Sequence, residues 1–211
     1  MRVLLWSTTW WPNVGGVEVL GANLVQALVD RGHEVTVVSR RDADDVPATS
    51  RIAGAEVVRL PFRQAIEAND PAGVLELRAE VAALKRELRP EVVHLYHLGP
   101  DLLFQRMTRT AVAAPVVVTL HQPFRGELLA DDVALGPTLR EADAIAACSR
   151  AVLDDLLVRI PDVGRERARP RRPTGRALRR TGGPTEGVRP RAGRVRPAPP
   201  APSRGPPRRG R

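Results

Sequence analysis

The stretch Trp6-Ser7-Thr8-Thr9-Trp10-Trp11-Pro12-Asn13-Val14-Gly15-Gly16-Val17-Glu18 decides how the rest of the chain is read. The apolar run Arg2–Ser7 leads into it. Residues 17–31 leave it, with Val17, Leu20, Leu24 and Leu28 spaced three and four apart. That spacing predicts a helix with one apolar face, stopped by Gly32. A strand, a glycine turn and a helix start make a common anion-binding device, because the turn bares N–H groups and the helix dipole favours negative charge there. Gly15-Gly16 followed by Gly21 lacks the spacing of the dinucleotide fingerprint, and no P-loop lysine follows. Taken alone, the turn specifies only a phosphate or ligand site.

Working outward, residues 34–39 (EVTVVS) form the next strand, so strand, helix and strand fit within a βαβ unit of a parallel sheet. Residues 40–54 read as a solvated polar loop. Its Asp42, Asp44 and Asp45 lack the glycine turn and closing glutamate of a calcium loop. Residues 56–60 are a short strand. Asp70-Pro71 is a capped helix start, and the helix runs to about Arg89 with Val74, Leu77, Val81, Leu84 and Leu88 inward. A strand at 91–95 and a helix from Gly99 or Asp101 to about Val112 follow. Next come the uninterrupted apolar strand VVVTL at 116–120, a helix over 127–141 broken at Gly136-Pro137, a strand at 144–148, and a last helix capped by Ser149. The fold class is α/β, a Rossmann-like doubly wound parallel sheet of six strands.

Composition divides the chain. Residues 159–211 carry 17 Arg against three acidic groups, whereas residues 1–158 hold 16 basic and 21 acidic groups. The whole-chain charge of +9 therefore describes neither part. After Pro161 there is no aromatic residue, Ile, Met, His, Asn, Gln, Lys or Cys. Such a segment cannot bury enough apolar surface to offset its chain entropy, so residues 161–211 are expected to form a disordered Arg/Pro/Gly-rich tail behind a domain at 1–160. The single cysteine, Cys148, excludes an intramolecular disulfide and fits a reducing compartment. No apolar run approaches membrane-spanning length.

Ligands of open parallel sheets bind outside the carboxyl ends of the strands. There the sequence places Ser7-Thr8, Ser39, His94-Leu95-Tyr96-His97, Thr119-Leu120-His121-Gln122 and Ser149. Three of the four histidines thus gather on one edge, while His33 sits in a turn at the opposite one. His94, inside a strand, reads either as a hydrogen-bonded structural residue or as a ligand contact. His97 and His121, at strand ends, are candidates for binding or catalysis. No helical His pair or carboxylate set supports a zinc site. Trp6 reads as core. Trp10 and Trp11 either wall a ligand or pack the loop down.

Residues 1–40 resemble the opening of the glycosyltransferase family 4 enzymes of GT-B fold. The resemblance is carried by Pro12-Asn13-Val14-Gly15-Gly16-Val17-Glu18 and by Leu28-Val29-Asp30-Arg31-Gly32-His33-Glu34-Val35-Thr36-Val37. Further on, Glu91-Val92-Val93-His94-Leu95-Tyr96-His97, Val118-Thr119-Leu120-His121 and Ala142-Asp143-Ala144-Ile145-Ala146-Ala147-Cys148-Ser149 agree in order and spacing. The resemblance implies the N-terminal, acceptor-side half of a GT-B enzyme. Such an enzyme moves a sugar from a nucleotide-diphosphate donor to an acceptor hydroxyl, with retention and without a catalytic metal or other cofactor. It implies Gly15 and Gly16 at the donor phosphates and sugar and His121 as the active-site histidine; Trp10, Asn13, His97 and Gln122 are the residues expected to contact the acceptor. The acceptor class stays open between carbohydrate, lipid and small molecule. A cytoplasmic location, with or without peripheral contact at the inner membrane face, goes with it.

The family's second domain carries a Glu-x7-Glu pair. Here the only later glutamates are Glu166 and Glu186. Little transferase activity is therefore expected of this chain alone. The tail has two readings, a reading-frame shift in a GC-rich gene or a basic segment that binds nucleic acid. A binding module that holds carbohydrate or phosphate without catalysis is the remaining alternative.

Overall fold

The computed structural model describes residues 1–124 and 134–164. One seven-stranded sheet organises them, formed by β1 (Arg2–Ser7), β2 (Glu34–Arg40), β3 (Thr49–Ile52), β4 (Ala55–Leu60), β5 (Val92–His97), β6 (Val116–Leu120) and β7 (Ala144–Ala147). The strand order is β3-β4-β2-β1-β5-β6-β7. Every pairing is parallel except that of β3 with β4. The doubly wound α/β class read from the sequence is the class observed.

Helices α1 (Gly16–Val29), α2 (Phe62–Glu67), α3 (Pro71–Leu88), α4 (Leu102–Met107), α5 (Leu135–Glu141) and α6 (Arg150–Arg159) flank the sheet. One face buries Leu4, Trp6, Val38, Leu95, Val118 and Leu120 against Phe62, Leu77, Val81, Phe104, Leu139 and Val152. The other buries Val3, Leu5, Val35, Val37 and Val57 with Val25 of α1, Trp10 and Tyr96. Two caps formed as expected. Asp70 accepts from the Ala72 amide at 3.0 Å, and Ser149 accepts from the Val152 amide at 3.3 Å. None of the described helices is long and apolar enough to cross a membrane.

Several boundaries differ from the sequence expectation. The polar loop at 40–54 contains β3, an antiparallel edge strand of alternating exposure that short polar patterning concealed. Helix α2 lies in what read as a connection. Helix α1 turns Gly21 and Val25 inward and leaves Leu20 57% exposed, because the backbone of its first turns must lie directly over the Trp10 ring. Helix α4 stops at Met107 instead of Val112, since the Thr108 hydroxyl donates to the Phe104 carbonyl at 2.7 Å. Gly136-Pro137 does not break α5 but sits in its first turn, where a missing proline N–H costs nothing. The rest of the helix expected over 127–141 lies outside the described residues at 127–133. The basic tail likewise falls outside them from residue 165 onward. Pro161–Gly164 forms a 3-10 turn that buries Val163.

Lys85, the sole lysine of the chain, is 1% exposed. Its Nζ donates to Thr108 Oγ1 at 2.8 Å and to Gln105 Oε1, and lies 3.4 Å from the Thr108 carbonyl oxygen. It therefore caps the C-terminal end of α4, where a cation meets the negative end of the dipole. Burial nevertheless pulls its pKa down to about 7.

Two measurements follow from this packing. A Cβ on Gly21 would stand 2.6 Å from the Trp10 ring and 2.9 Å from that of Tyr96. Gly21→Ala should then lower the unfolding free energy by about 1–3 kcal/mol in urea titrations. Lys85 gives a pH dependence of definite sign. Between pH 7 and roughly 10 the unfolded lysine holds a proton that the folded one has lost. Stability should rise with pH across that window in the native chain, and the rise should be smaller in Lys85→Met when urea midpoints are compared at both ends.

Candidate functional site

The site grows from the carboxyl end of β1. Trp6 Nε1 donates to Asp101 Oδ2 at 2.6 Å, and Thr8 Oγ1 donates to Asp101 Oδ1 at 2.7 Å. Asp101 is 2% exposed, and burial raises its pKa against the pull of these two bonds. The loop beyond is held from the other side by Arg59, itself 4% exposed, which donates to the Trp11 carbonyl at 2.7 Å and to Ser50 Oγ at 2.8 Å. Gly99 is needed at the crossing, since a Cβ there would lie 2.6 Å from Thr8.

Gly15 is the N-cap residue of α1 and Glu18 its third helical position. Glu18 is 8% exposed and reaches back toward the turn, as the glutamate of a capping box does. A Cβ on Gly15 would come within 2.6 Å of Glu18 Oε2. Burial alone would raise the Glu18 pKa. The Thr9 hydroxyl, the backbone amides of Glu18 and Gly15, and His97 outweigh it and hold the carboxyl below its usual range. The anion position at the start of α1 is thus partly filled by the chain's own carboxylate. Gly16 is different, because a Cβ there would meet nothing within 4 Å. That face is open to a ligand.

The three edge histidines have separate fates. His94 Nε2 lies 2.8 Å from Thr119 Oγ1 and its ring is edge-on to Tyr96, so it is a bonded structural residue. Burial, and then His121, push its pKa down to about 4. His97 Nδ1 lies 3.0 Å from Thr9 Oγ1. Burial lowers its pKa while Glu18 and Asp101 oppose the shift. His121 packs edge-on against Tyr96 at 4.5 Å between ring centres, and its carbonyl accepts the Cys148 thiol at 3.1 Å. Burial lowers its pKa too, the Tyr96 backbone pulling it upward and His97 downward.

His97, Thr119, His121 and Gln122 line one cavity of about 310 Å³, closed by Val17 of α1 and by Phe124 and Leu135. The structure thus brings His97, His121 and Gln122 together, with Gly16 one residue before the wall at Val17. The other two residues expected on the acceptor side, Trp10 and Asn13, are not among those that line the cavity. Trp10 is 2% exposed, and its ring packs beside that of Tyr96 directly against Gly21, so it is a core residue. Asn13 is exposed and donates to Asp42 Oδ2 at 3.3 Å, away from the cavity. Sequence reasoning missed Thr9, Glu18 and Asp101. Glu18 was visible as the closing residue of the Gly-Gly-x-Glu turn. Asp101 left no signal beyond a place before a helix.

The sequence pattern of Glycosyltransferase Family 4 matches residues 14–169, more than half of the chain. No curated protein sequence matches it. Among solved structures, sucrose-phosphate synthase from Thermosynechococcus elongatus is similar at a TM-score of 0.55 and 15% identity, over 74% of this chain and 44% of that one. A glycosyltransferase from Rickettsia africae ESF-5 is similar at a TM-score of 0.51 and 14% identity, over 76% and 40%. The chain therefore spans less than half the length of these structures, and at such identities they speak for the fold alone. The family match, which spans the turn, the strand ends and the cavity, places this chain in Glycosyltransferase Family 4.

Proposed function

We propose that residues 1–164 form the acceptor side of a sugar transferase that uses a nucleotide-diphosphate sugar and retains the anomeric configuration. The observation that carries this reading is the cavity shared by His97, Thr119, His121 and Gln122 at the carboxyl edge of the sheet, beside the open backbone of Gly16. In the transfer, the acceptor hydroxyl oxygen bonds to the anomeric carbon as the bond to the diphosphate oxygen breaks. The hydroxyl proton leaves with the departing diphosphate. No net charge then needs to be held by the histidines, which suits rings whose pKa values burial lowers.

Each wall has a part in this. Gln122 and Thr119 offer both donors and acceptors to sugar hydroxyls. Leu120, Phe124 and Leu135 supply the apolar surface that a pyranose C–H face covers. Gly16, with no side chain, lets a phosphate come close to the start of α1. His121, at the floor beside Tyr96, would contact the reacting sugar or acceptor. A sugar phosphate, a glycolipid headgroup or a small polyol all present the needed hydroxyl.

The test is binding by the 211-residue chain itself. Neutral sugars, cyclitols and nucleotide sugars titrated into it should shift amide resonances at Thr119, Gln122 and His97. His121→Ala should weaken binding about tenfold, or about 1.4 kcal/mol. Turnover of the nucleotide sugar by this chain should be slight. Shifts confined to other surfaces, or unaltered affinity in His121→Ala, would remove the cavity from the function.

A further inference from the structure

Thr9 has one hydroxyl hydrogen and two partners. Its Oγ1 is bonded to Glu18 Oε1 and lies 3.0 Å from His97 Nδ1. An ionised carboxylate only accepts, whereas a neutral imidazole nitrogen either donates or accepts. Glu18 is held in its charged form by the Thr9 hydroxyl and by the amides at the start of α1. The single Thr9 hydrogen is therefore spent on Glu18, and the oxygen lone pair that remains must receive a hydrogen from His97.

From this bookkeeping we infer that Glu18, acting through Thr9, is a positioning residue that sets His97 in the Nδ1–H tautomer and presents a bare Nε2 lone pair to the cavity. The consequence is a specificity. His97 Nε2 accepts a hydrogen bond from a ligand hydroxyl and has none to give to a ligand oxygen. The class of group selected at this wall is a free hydroxyl, and an ether or a phosphate oxygen at the same place is refused. Charged and titratable neighbours of His97 are Glu18, Asp101, Arg40 and His121. None of the four is a hydrogen-bond partner of Nε2. The geometry supports the relay independently of titration. Gly15 lacks the Cβ that would collide with the Glu18 carboxylate, and the Thr8 amide donates to the His97 carbonyl at 3.1 Å, so both ends of the relay are fixed by backbone.

The deduction about selectivity rests on the acceptor-site reading, but the tautomer does not, and the two can fail separately. The experiment is long-range 15N–1H correlation spectroscopy of the ligand-free 211-residue chain at pH 7.5. His97 is identified by the signals lost in His97→Asn. The native chain should show His97 protonated at Nδ1, against the Nε2–H form that a free histidine prefers. Glu18→Ala releases the Thr9 hydrogen toward Nδ1, so the ring should switch to Nε2–H. Thr9→Ser should keep the native tautomer, and Thr9→Val should lose the bias toward it. The remaining histidine signals report whether each variant is folded. His97 found as Nε2–H in the native chain would overturn the inference, and beyond the folded His97→Asn used for identification that measurement needs no other variant. An unchanged Nδ1–H form in folded Glu18→Ala and Thr9→Val would overturn it as well. If the tautomer is confirmed and no sugar binds, the acceptor-site reading fails and the relay stands.

Discussion

A carboxylate buried where β1 ends governs the geometry of everything above it. Asp101 takes hydrogens from the Trp6 indole near the end of β1 and from the Thr8 hydroxyl just beyond it, both more than ninety positions distant in sequence. A buried carboxylate without donors would be expensive, and a buried indole N–H without an acceptor nearly as unwelcome. Each relieves the other. The loop between β5 and α4 is thereby stitched to the end of β1, and Gly99 allows the approach. The register of β1 against β5 shifts at that point, between Trp6 and Ser7. This shift seats the His97 strand end against Thr8 and Thr9.

From this stitch the two sides of the turn are built differently. The side facing α1 is packed by hydrophobic contact, Trp10 against Gly21 and Tyr96. The side facing β3 and β4 is held by Arg59, whose guanidinium gathers the Trp11 carbonyl, the Pro47 carbonyl and Ser50. A loop with that many internal obligations has little freedom left. Its rigidity is what lets Thr9 stand between Glu18 and His97 at hydrogen-bond distance, a positioning that a looser loop would not maintain.

The parts legible in the sequence are those set by local periodicity. Apolar runs such as VVVTL at 116–120 read as buried strands because both faces of a parallel sheet are covered. The strand ends, and so His97, His121 and Gln122, followed from that. Trp10 was ambiguous because an amphipathic ring suits a core and a binding wall alike. The deciding fact was Gly21, eleven residues on, which meant little until the helix was seen to cross the ring. Asp101 and Lys85 were illegible for a related reason. Their meaning lies in partners from other elements, Trp6 and Thr8 for one, Gln105 and Thr108 for the other, and no spacing rule brings those together. The edge strand β3 escaped because four residues of alternating exposure carry too little apolar signal.

Glu18 changes what the glycine turn can do by itself. The start of a helix carries about half a positive charge, screened further by solvent. The carboxylate reaching back beside Gly15 carries a full negative one. The sum over the turn is therefore not attractive to an anion, even though Gly16 leaves room for one. A diphosphate brought to this edge gains close approach and amide hydrogen bonds, while its charge must be met by cations elsewhere. The same carboxylate, through Thr9, acts on His97. One side chain thus weakens the turn as an anion trap and, in the tautomer inferred above, leaves a hydrogen-bond acceptor in the wall of the neighbouring cavity.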